Sequence, residues 1–440
     1  MAGTSQSPPS FPLDVSRFLT TGAFRFKVFV INKMATSGMD LELEDALAQI
    51  LAAIPAPVCE TVPLAEAYGR VAAERIVSPS DLPRFDNSSM DGYAVRAGDV
   101  VSATPATPVR LRVVGKTAAG ETHTGEVTAG TCLRLATGAP LPAGADAVVM
   151  QEDTRTETDA TNEVLILDAA KPWENVRLLG EDIKRGSTIA ETGDALSSGH
   201  ISLLAATGAT HVTVGRQPVI GLLATGSELK EPGQPLAPGQ IYESNRLGLG
   251  CLIRRFGGIA RPFSMVADDL EATRSAMAEA FRQSDAVITT GGASVGEMDF
   301  VKRAFEQMGG ERQFWRVAIK PGRPFVFGRW GQKLLFGLPG NPVSAFVTFL
   351  LFVRPALLRW QGAREVALPS HPGVMAEPLA NAGGRRHFLR VRVDAAGKVF
   401  SAGLQASHAL SSLAVANGLI DAPPRWNLPA GSAVQVMRWD

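Results

Sequence analysis

The chain has 440 residues and is formally neutral, with 43 basic and 43 acidic side chains, and 20% of its residues are charged. That length exceeds one core and predicts about two to four domains. The balanced charge leaves neither the basic footprint of a nucleic-acid binder nor a polybasic membrane signature, so neither nucleic acid nor membrane is an expected partner, and any anion must be held by local charge.

Residues 1–38 carry Ser, Pro, Thr and Gly around the apolar stretch 24–31. Basic residues sit inside that stretch and no small-residue cleavage site follows it, so it reads as a loosely ordered extension and not as a signal peptide. From Leu41 on, Leu43, Ala46, Leu47, Ile50, Leu51 and Ile54 recur at helical spacing until Pro55, which predicts an amphipathic helix. A second helical piece is expected over 64–73. Residues 81–94 are so dense in Asp, Asn, Ser and Gly that they read as a loop, whose short polar side chains build turns or bind a ligand.

Between 93 and 167, short β-branched runs alternate with Gly, Thr and Pro, the mark of a small β-rich module. Thr137 stands there in a proline-stiffened turn as a candidate exposed hydroxyl. Glu181 and Asp182 follow Gly180, either as a hydrated surface pair or as oxygen donors of the kind a divalent cation takes. From 216 to 362 strand and helix patterns alternate, with helices over 247–256, 270–282, 300–308 and 343–359, which predicts a layered α/β domain with a largely parallel sheet. The longest apolar run, 345–353, is closed by Arg354 and Pro355 and reads as a buried helix too short to span a bilayer. Strand alternation over 386–393, a turn at 394–397 and an apolar strand near 433–437 predict a compact β domain. Cys59, Cys132 and Cys251 lie far apart without a Cys-x-x-Cys pair, which signals neither zinc nor a disulfide framework and suits a reducing cytoplasm.

Three apolar runs in the central segment end in glycine turns: one at Thr225-Gly226, one at Gly291-Gly292, and one at Gly340, where Asn341 and Pro342 fit the N-cap and first-turn positions of a helix. Glycines let successive backbone N–H groups point one way, and such a nest before a helix N-terminus attracts an anion. In a parallel sheet with helical crossovers such strand ends share one edge, where ligands bind. Beside them, Lys320 and Arg323 sit on the proline-stiffened loop 319–324, cations placed to meet phosphate or another oxyanion.

In order and wording these motifs resemble the molybdopterin molybdenumtransferase family, the MoeA-type proteins and the E domain of gephyrin. The likeness runs from about Leu41 to the C-terminus through Phe85-Asp-Asn-Ser-Ser-Met-Asp-Gly-Tyr-Ala94, Thr137-Gly-Ala-Pro-Leu-Pro142, Gly144-Ala-Asp-Ala-Val-Val149, Gly180-Glu-Asp-Ile183, Thr225-Gly-Ser-Glu-Leu229, the Gly291-Gly292 turn through Asp299, Lys320-Pro-Gly-Arg-Pro324 and Gly337-Leu-Pro-Gly-Asn-Pro342. The resemblance implies a multidomain α/β protein with added β modules. Domain I is helical and extended, over 39–92 and 173–215; a β-rich domain II is inserted at 93–172; a three-layer α/β domain III of the molybdopterin-binding fold, with a mostly parallel sheet, spans 216–363; and a β-barrel-like domain IV spans 364–440. It also implies a cytoplasmic homodimer in which the Asp86 loop serves the partner's site, and contact with other molybdenum cofactor biosynthesis proteins.

The implied reaction takes adenylylated molybdopterin and molybdate, releases AMP, and leaves molybdenum on the dithiolene sulfurs. Backbone nests would hold the phosphates, a magnesium ion held by carboxylates would neutralise the scissile bridge, and a cationic pocket would hold molybdate. The resemblance points to Thr137, Thr225, Gly226, Ser227, Gly291, Gly292, Ser294, Gly340 and Asn341 for substrate, and to Glu181, Asp182 and Asp299 for Mg(2+). It points to Asp299, Glu181, Asp86 and Lys320 for catalysis, and to Arg323, Pro324, Ser344, Arg385 and Ser407 for molybdate. Two departures stand out: Ser227 replaces a common Asp, with Glu228 the nearest substitute carboxylate, and Ala406 precedes Ser407 where Gly is frequent. Other readings remain: a different enzyme on the same central fold, either an adenylyltransferase acting on molybdopterin or a nucleotide amidase, and a gephyrin-like scaffold; the flanking Asp86 loop and β tail weigh against the adenylyltransferase, and nothing in the sequence resembles the added interaction linker of a scaffold.

Overall fold

The computed structural model describes residues 40–157, 162–291 and 300–439. The expected extension over 1–38 and the candidates Gly292, Ser294 and Asp299 lie outside them.

The central sheet is built from apolar runs that must be covered on both faces. Val219–Ala224 (β1), Ile259–Pro262 (β2), Ala286–Thr290 (β3), Glu311–Arg316 (β4), Pro324–Trp330 (β5) and Lys333–Leu338 (β6) pair in the order β2-β1-β3-β6-β5-β4. The first four in that order run parallel, while β5 and β4 add an antiparallel edge. Side-chain alternation divides the core in two. On one face Ile220, Leu222, Ile288, Leu334 and Phe336 meet Leu252 and Ile253 of helix α2 (Asn245–Arg255) and the helical stretch Pro342–Trp360. On the other, Leu223, Val287 and Leu335 meet Met277 and Phe281 of α3 (Leu270–Gln283) and Phe305 of α4 (Phe300–Gln307). This is the expected three-layer α/β arrangement, and each fully buried large side chain in it contributes about 1.5–3 kcal/mol.

The stretch Pro342–Trp360 is longer than the apolar run suggested. Its 19 residues are long and apolar enough to cross a membrane by length and composition, yet 83% of its most apolar window is buried inside the protein. It comprises α5 (Pro342–Thr348), a π turn over Phe349–Val353 and α6 (Arg354–Trp360). Pro355 has no N–H to give the preceding turn, which accounts for the widened ladder just before it.

The first helix, α1, forms over Leu43–Ala53, close to its expected bounds, and its buried Ala46 and Ile50 join the central core. The second helical piece does not form: only Leu64–Glu66 makes a 3-10 turn, Gly69 turns the chain at φ +74, and Val71 and Ala72 bridge to Ala195 and Val214. Long-range pairing overrides local propensity there. The same partnership recurs along this region, where Cys59–Pro63 pairs with His211–Gly215, Ile76–Val77 with Thr188–Ala190, and Asn87–Ser88 with Val176–Arg177.

Residues 81–94 are not wholly loop. Asn87 and Ser88 are buried in that short ladder, and Gly92–Val95 is a buried strand between Thr131–Leu135 and Ala147–Met150 in a six-stranded sheet. Gly92 is required by close approach, since a Cβ there would stand 2.1 Å from the Val149 carbonyl oxygen.

The tail closes on itself. Ser370–Met375 (β7), Arg386–Val393 (β8), Lys398–Ser401 (β9), Gly418–Ala422 (β10) and Ala433–Arg438 (β11) pair as a ring, β8-β9-β7-β11-β10 and back to β8. Ring closure removes free edges and gives the barrel its own core around Leu389, Val391, Ile420 and Val436. One central segment crosses over: Ile319–Lys320 adds to the barrel in parallel with β8, placing Ile319 opposite Arg386 and Lys320 opposite His387.

Candidate active site

The three glycine turns meet at one end of the parallel sheet. Gly291 ends β3 at φ +87, and a Cβ there would stand 2.4 Å from the Thr225 carbonyl oxygen and 3.1 Å from its hydroxyl. A Cβ on Gly340 would stand 3.5 Å from Gly291 Cα. The backbones of all three turns therefore lie at contact distance, with no side chain from Gly291 or Gly340 between them. Thr225 is 6% exposed and its hydroxyl has no hydrogen-bond partner among the described residues, which leaves it as a donor for a ligand at the turn. Asn245, at the start of α2, donates to the Gly340 carbonyl at 2.8 Å. Asn341 and Pro342 occupy the expected N-cap and first positions of α5, although the Asn341 side chain makes no capping bond.

The turn after β1 differs from the simple strand-to-helix design. It enters a two-stranded parallel ladder, Leu229–Lys230 with Ile241–Tyr242, before α2 begins. Glu228 folds back so that a Cβ on Gly226 would stand 2.7 Å from its carboxylate oxygen. Ser227 and Asp268 bond reciprocally: the Ser227 amide donates to Asp268 Oδ2 at 3.1 Å and the Asp268 amide to Ser227 Oγ at 3.0 Å. A carboxylate thus stands beside Ser227 after all, and the sequence offered no signal for it because the two are 41 residues apart.

The cationic group is assembled where the central unit meets the barrel. Lys320 lies opposite His387 in the ladder, and Arg385 Nη1 donates to the Ile319 carbonyl at 3.4 Å. The 319–324 loop packs on α5, since a Cβ on Gly322 would meet Thr348 Cγ2 at 2.3 Å and the Ser344 carbonyl at 3.7 Å. Val343, next to Ser344, donates its amide to the Ser407 carbonyl at 3.2 Å. Lys320, Arg385, Ser344 and Ser407 are thereby joined through adjoining elements, with Pro324 opening β5. Arg323 has a partner not anticipated: Asp40 receives its Nε at 2.7 Å and its Nη2 at 3.2 Å, which raises the Arg323 pKa above its ordinary value. His387 is 3% exposed, with Nε2 unpartnered among the described residues, and burial, then Lys320, Arg390 and Arg385, push its pKa down to about 4.

The remaining candidates form a separate group. Asp86 Oδ1 accepts from the Leu179 amide at 2.7 Å and Glu181 Oε2 from the Leu178 amide at 2.7 Å, so both stabilise one turn. Thr137 donates its hydroxyl to Asp91 at 2.9 Å. Among the described residues no hydrogen bond or ion pair links Asp86, Thr137, Glu181 or Asp182 to the glycine turns, and no three His, Cys, Asp or Glu side chains lie together as a metal-holding group. The carboxylates beside the first glycine turn are Glu228, against Gly226, and Asp268, which accepts from the Ser227 amide.

Family profiles match three successive parts of the chain: the MoeA N-terminal region (domain I and II) over 41–208, the probable molybdopterin binding domain over 221–359, and the MoeA C-terminal region (domain IV) over 372–439. The chain is 38% identical over 403 residues to a molybdopterin molybdenumtransferase of Haemophilus influenzae, covering 90% of this chain and 98% of that one. It is 39% identical over 387 residues to molybdopterin molybdenumtransferase 2 of Mycobacterium tuberculosis, covering 86% and 94%. The crystal structure of the molybdopterin biosynthesis moeA protein of Pyrococcus horikoshii superposes with a TM-score of 0.76 at 34% identity, over 91% of this chain and 100% of that one. Three profiles in register along one chain, relatives matched nearly end to end and a shared multidomain fold place this protein in the MoeA family of molybdopterin molybdenumtransferases.

Proposed function

We propose that the protein transfers molybdenum from molybdate to adenylylated molybdopterin with release of AMP, a late step of molybdenum cofactor biosynthesis. One observation carries this reading: the N-terminal turn of α5 has Gly340 at the glycine-turn cluster and Val343–Ser344 at the cationic group, so two anion-type sites adjoin through a single helix start. A substrate with a pyrophosphate link on one side and an oxyanion acceptor on the other suits that arrangement.

In this reading the turns at Gly226, Gly291 and Gly340 admit phosphate to the backbone, and the unpartnered Thr225 hydroxyl gives it a donor. Lys320 draws negative charge toward the junction, while Arg385, Ser344 and Ser407 orient the oxyanion, with Arg323 at the rim. Magnesium, held by Glu228 and Asp268, and by Asp299 in our assignment, would neutralise charge on the phosphates. We assign Asp86, Thr137, Glu181 and Asp182 to the site of a second subunit in a cytoplasmic homodimer, because among the described residues no hydrogen bond or ion pair links them to the glycine turns of their own chain.

The test is incubation with adenylylated molybdopterin, with and without molybdate and magnesium, while AMP is followed. Molybdate- and magnesium-dependent AMP release is expected. AMP release without either, or none with both, would overturn the reading. For the shared site, mixing Asp86→Ala and Gly291→Ala chains should restore a fraction of the activity that each lacks; strict additivity of the two inactive proteins would assign both residues to one subunit.

A further inference from the structure

The segment that leads into the first helix lies along the cationic group and places acidic side chains on it at alternate positions. Asp40 holds Arg323 through two hydrogen bonds, 2.7 and 3.2 Å long. Glu42 lines a cleft of about 390 Å³ that Arg385 and Arg386 also line. Glu44 receives Arg386 Nη1 at 2.7 Å, and Asp421 receives the other face of that guanidinium. The segment is fixed by backbone: the Leu41 amide donates to the Arg316 carbonyl at 3.1 Å and the Ala318 amide to the Leu41 carbonyl at 2.8 Å, so Asp40 is presented to the 319–324 loop from its own strand edge.

A carboxylate that grips a guanidinium by two bonds uses the same donors that a tetrahedral oxyanion would use. We propose that Asp40 is an affinity- and specificity-setting residue of the oxyanion site: it occupies Arg323 in the resting protein and must be displaced when the oxyanion binds. This rests on the assignment of Arg323 to oxyanion binding. The exchange of one carboxylate for a monoanion gains nothing in charge, whereas a dianion brings a second negative charge to the loop that also carries Lys320. Asp40 therefore discriminates against singly charged competitors. Asp40 acts only by occupying Arg323 and takes no part in the chemistry.

The test is binding of molybdate alone to the full chain, by titration calorimetry, for the wild type, Asp40→Asn, Arg323→Ala and the double variant, with AMP binding and thermal melts measured alongside. Removing the competing charge should tighten molybdate binding by roughly two- to fivefold, the scale of an exposed ion pair. The gain should vanish in the Arg323→Ala background, and AMP affinity should not change. A role in folding alone cannot produce tighter binding. If Arg323→Ala weakens molybdate binding while Asp40→Asn matches or falls below the wild type, Asp40 is no competitor and the oxyanion assignment stands without it. If Arg323→Ala binds molybdate as the wild type does, the underlying assignment fails, and this inference with it.

Discussion

Asp91 and Thr137, 46 residues apart in sequence, form one unit: Asp91 Oδ1 accepts the Thr137 amide at 2.7 Å and its hydroxyl at 2.9 Å. Those bonds, the amide first and the hydroxyl second, hold the Asp91 carboxyl below its ordinary pKa, with Arg134 adding to them. The Thr137 hydroxyl is thus spent as a donor, and only its lone pairs remain for a ligand. In Asp91→Ala the Thr137 amide should exchange with solvent several-fold faster, while Asp91→Asn, which keeps an acceptor oxygen, should lie between. Hydrogen exchange read at Thr137 decides it, and equal protection in all three proteins would show that the turn is held by other means.

The buried His387 makes stability depend on pH. Its folded pKa, about 4, lies below the usual 6.5, with Lys320, Arg390 and Arg385 as its cationic neighbours. The unfolded chain therefore binds a proton that the folded chain refuses. Stability is complete above the unfolded pKa and is lost as pH falls from about 6.5 toward 4, by about 2 kcal/mol near pH 5. Denaturant melts of wild type and His387→Gln near pH 7.5 and pH 5 should converge as the pH drops. A constant gap between them would remove His387 as the source.

Cys132 is fully buried, and burial pushes its thiol up to about 12, whereas Cys59 and Cys251 are exposed. Alkylation of the native protein near pH 8 should mark Cys59 and Cys251 and spare Cys132, which should react only on unfolding. Peptide mapping of native-labelled protein that finds Cys132 modified would mean the module opens at that pH.

What was legible in the sequence followed its periodicity. The alternation over 386–393 gave a strand with those bounds, and the long apolar runs gave the parallel core. The second helix failed because the pairing of Val71 and Ala72 across more than a hundred residues is invisible to local pattern. The partners of the candidate residues were hidden for the same reason. The loop sequence marks Arg323 as a cation but cannot show Asp40, 283 residues away, and local pattern offers Glu228 beside Ser227 but not Asp268, which comes from another turn. Composition names the groups that do chemistry; only topology says which of them already hold one another.

That distinction is sharpest for the two glycines of the turn cluster, whose replacement should separate folding from binding. Gly291 has φ +87, where any other residue is strained by about 1–3 kcal/mol, and its Cβ would press on the Thr225 carbonyl at 2.4 Å. Gly340 is not at positive φ, and its Cβ would make only an ordinary contact, 3.5 Å from Gly291 Cα. Gly291→Ala should therefore lower the melting temperature and bind AMP poorly. Gly340→Ala should melt like the wild type and still bind AMP weakly, because the added methyl fills the gap between the turns that phosphate is to enter. Melting curves and AMP titrations of both variants read the two effects separately. Wild-type AMP affinity in a normally melting Gly340→Ala protein would show that the phosphate does not pass between these turns, and the anion nest would have to be sought elsewhere on the sheet edge.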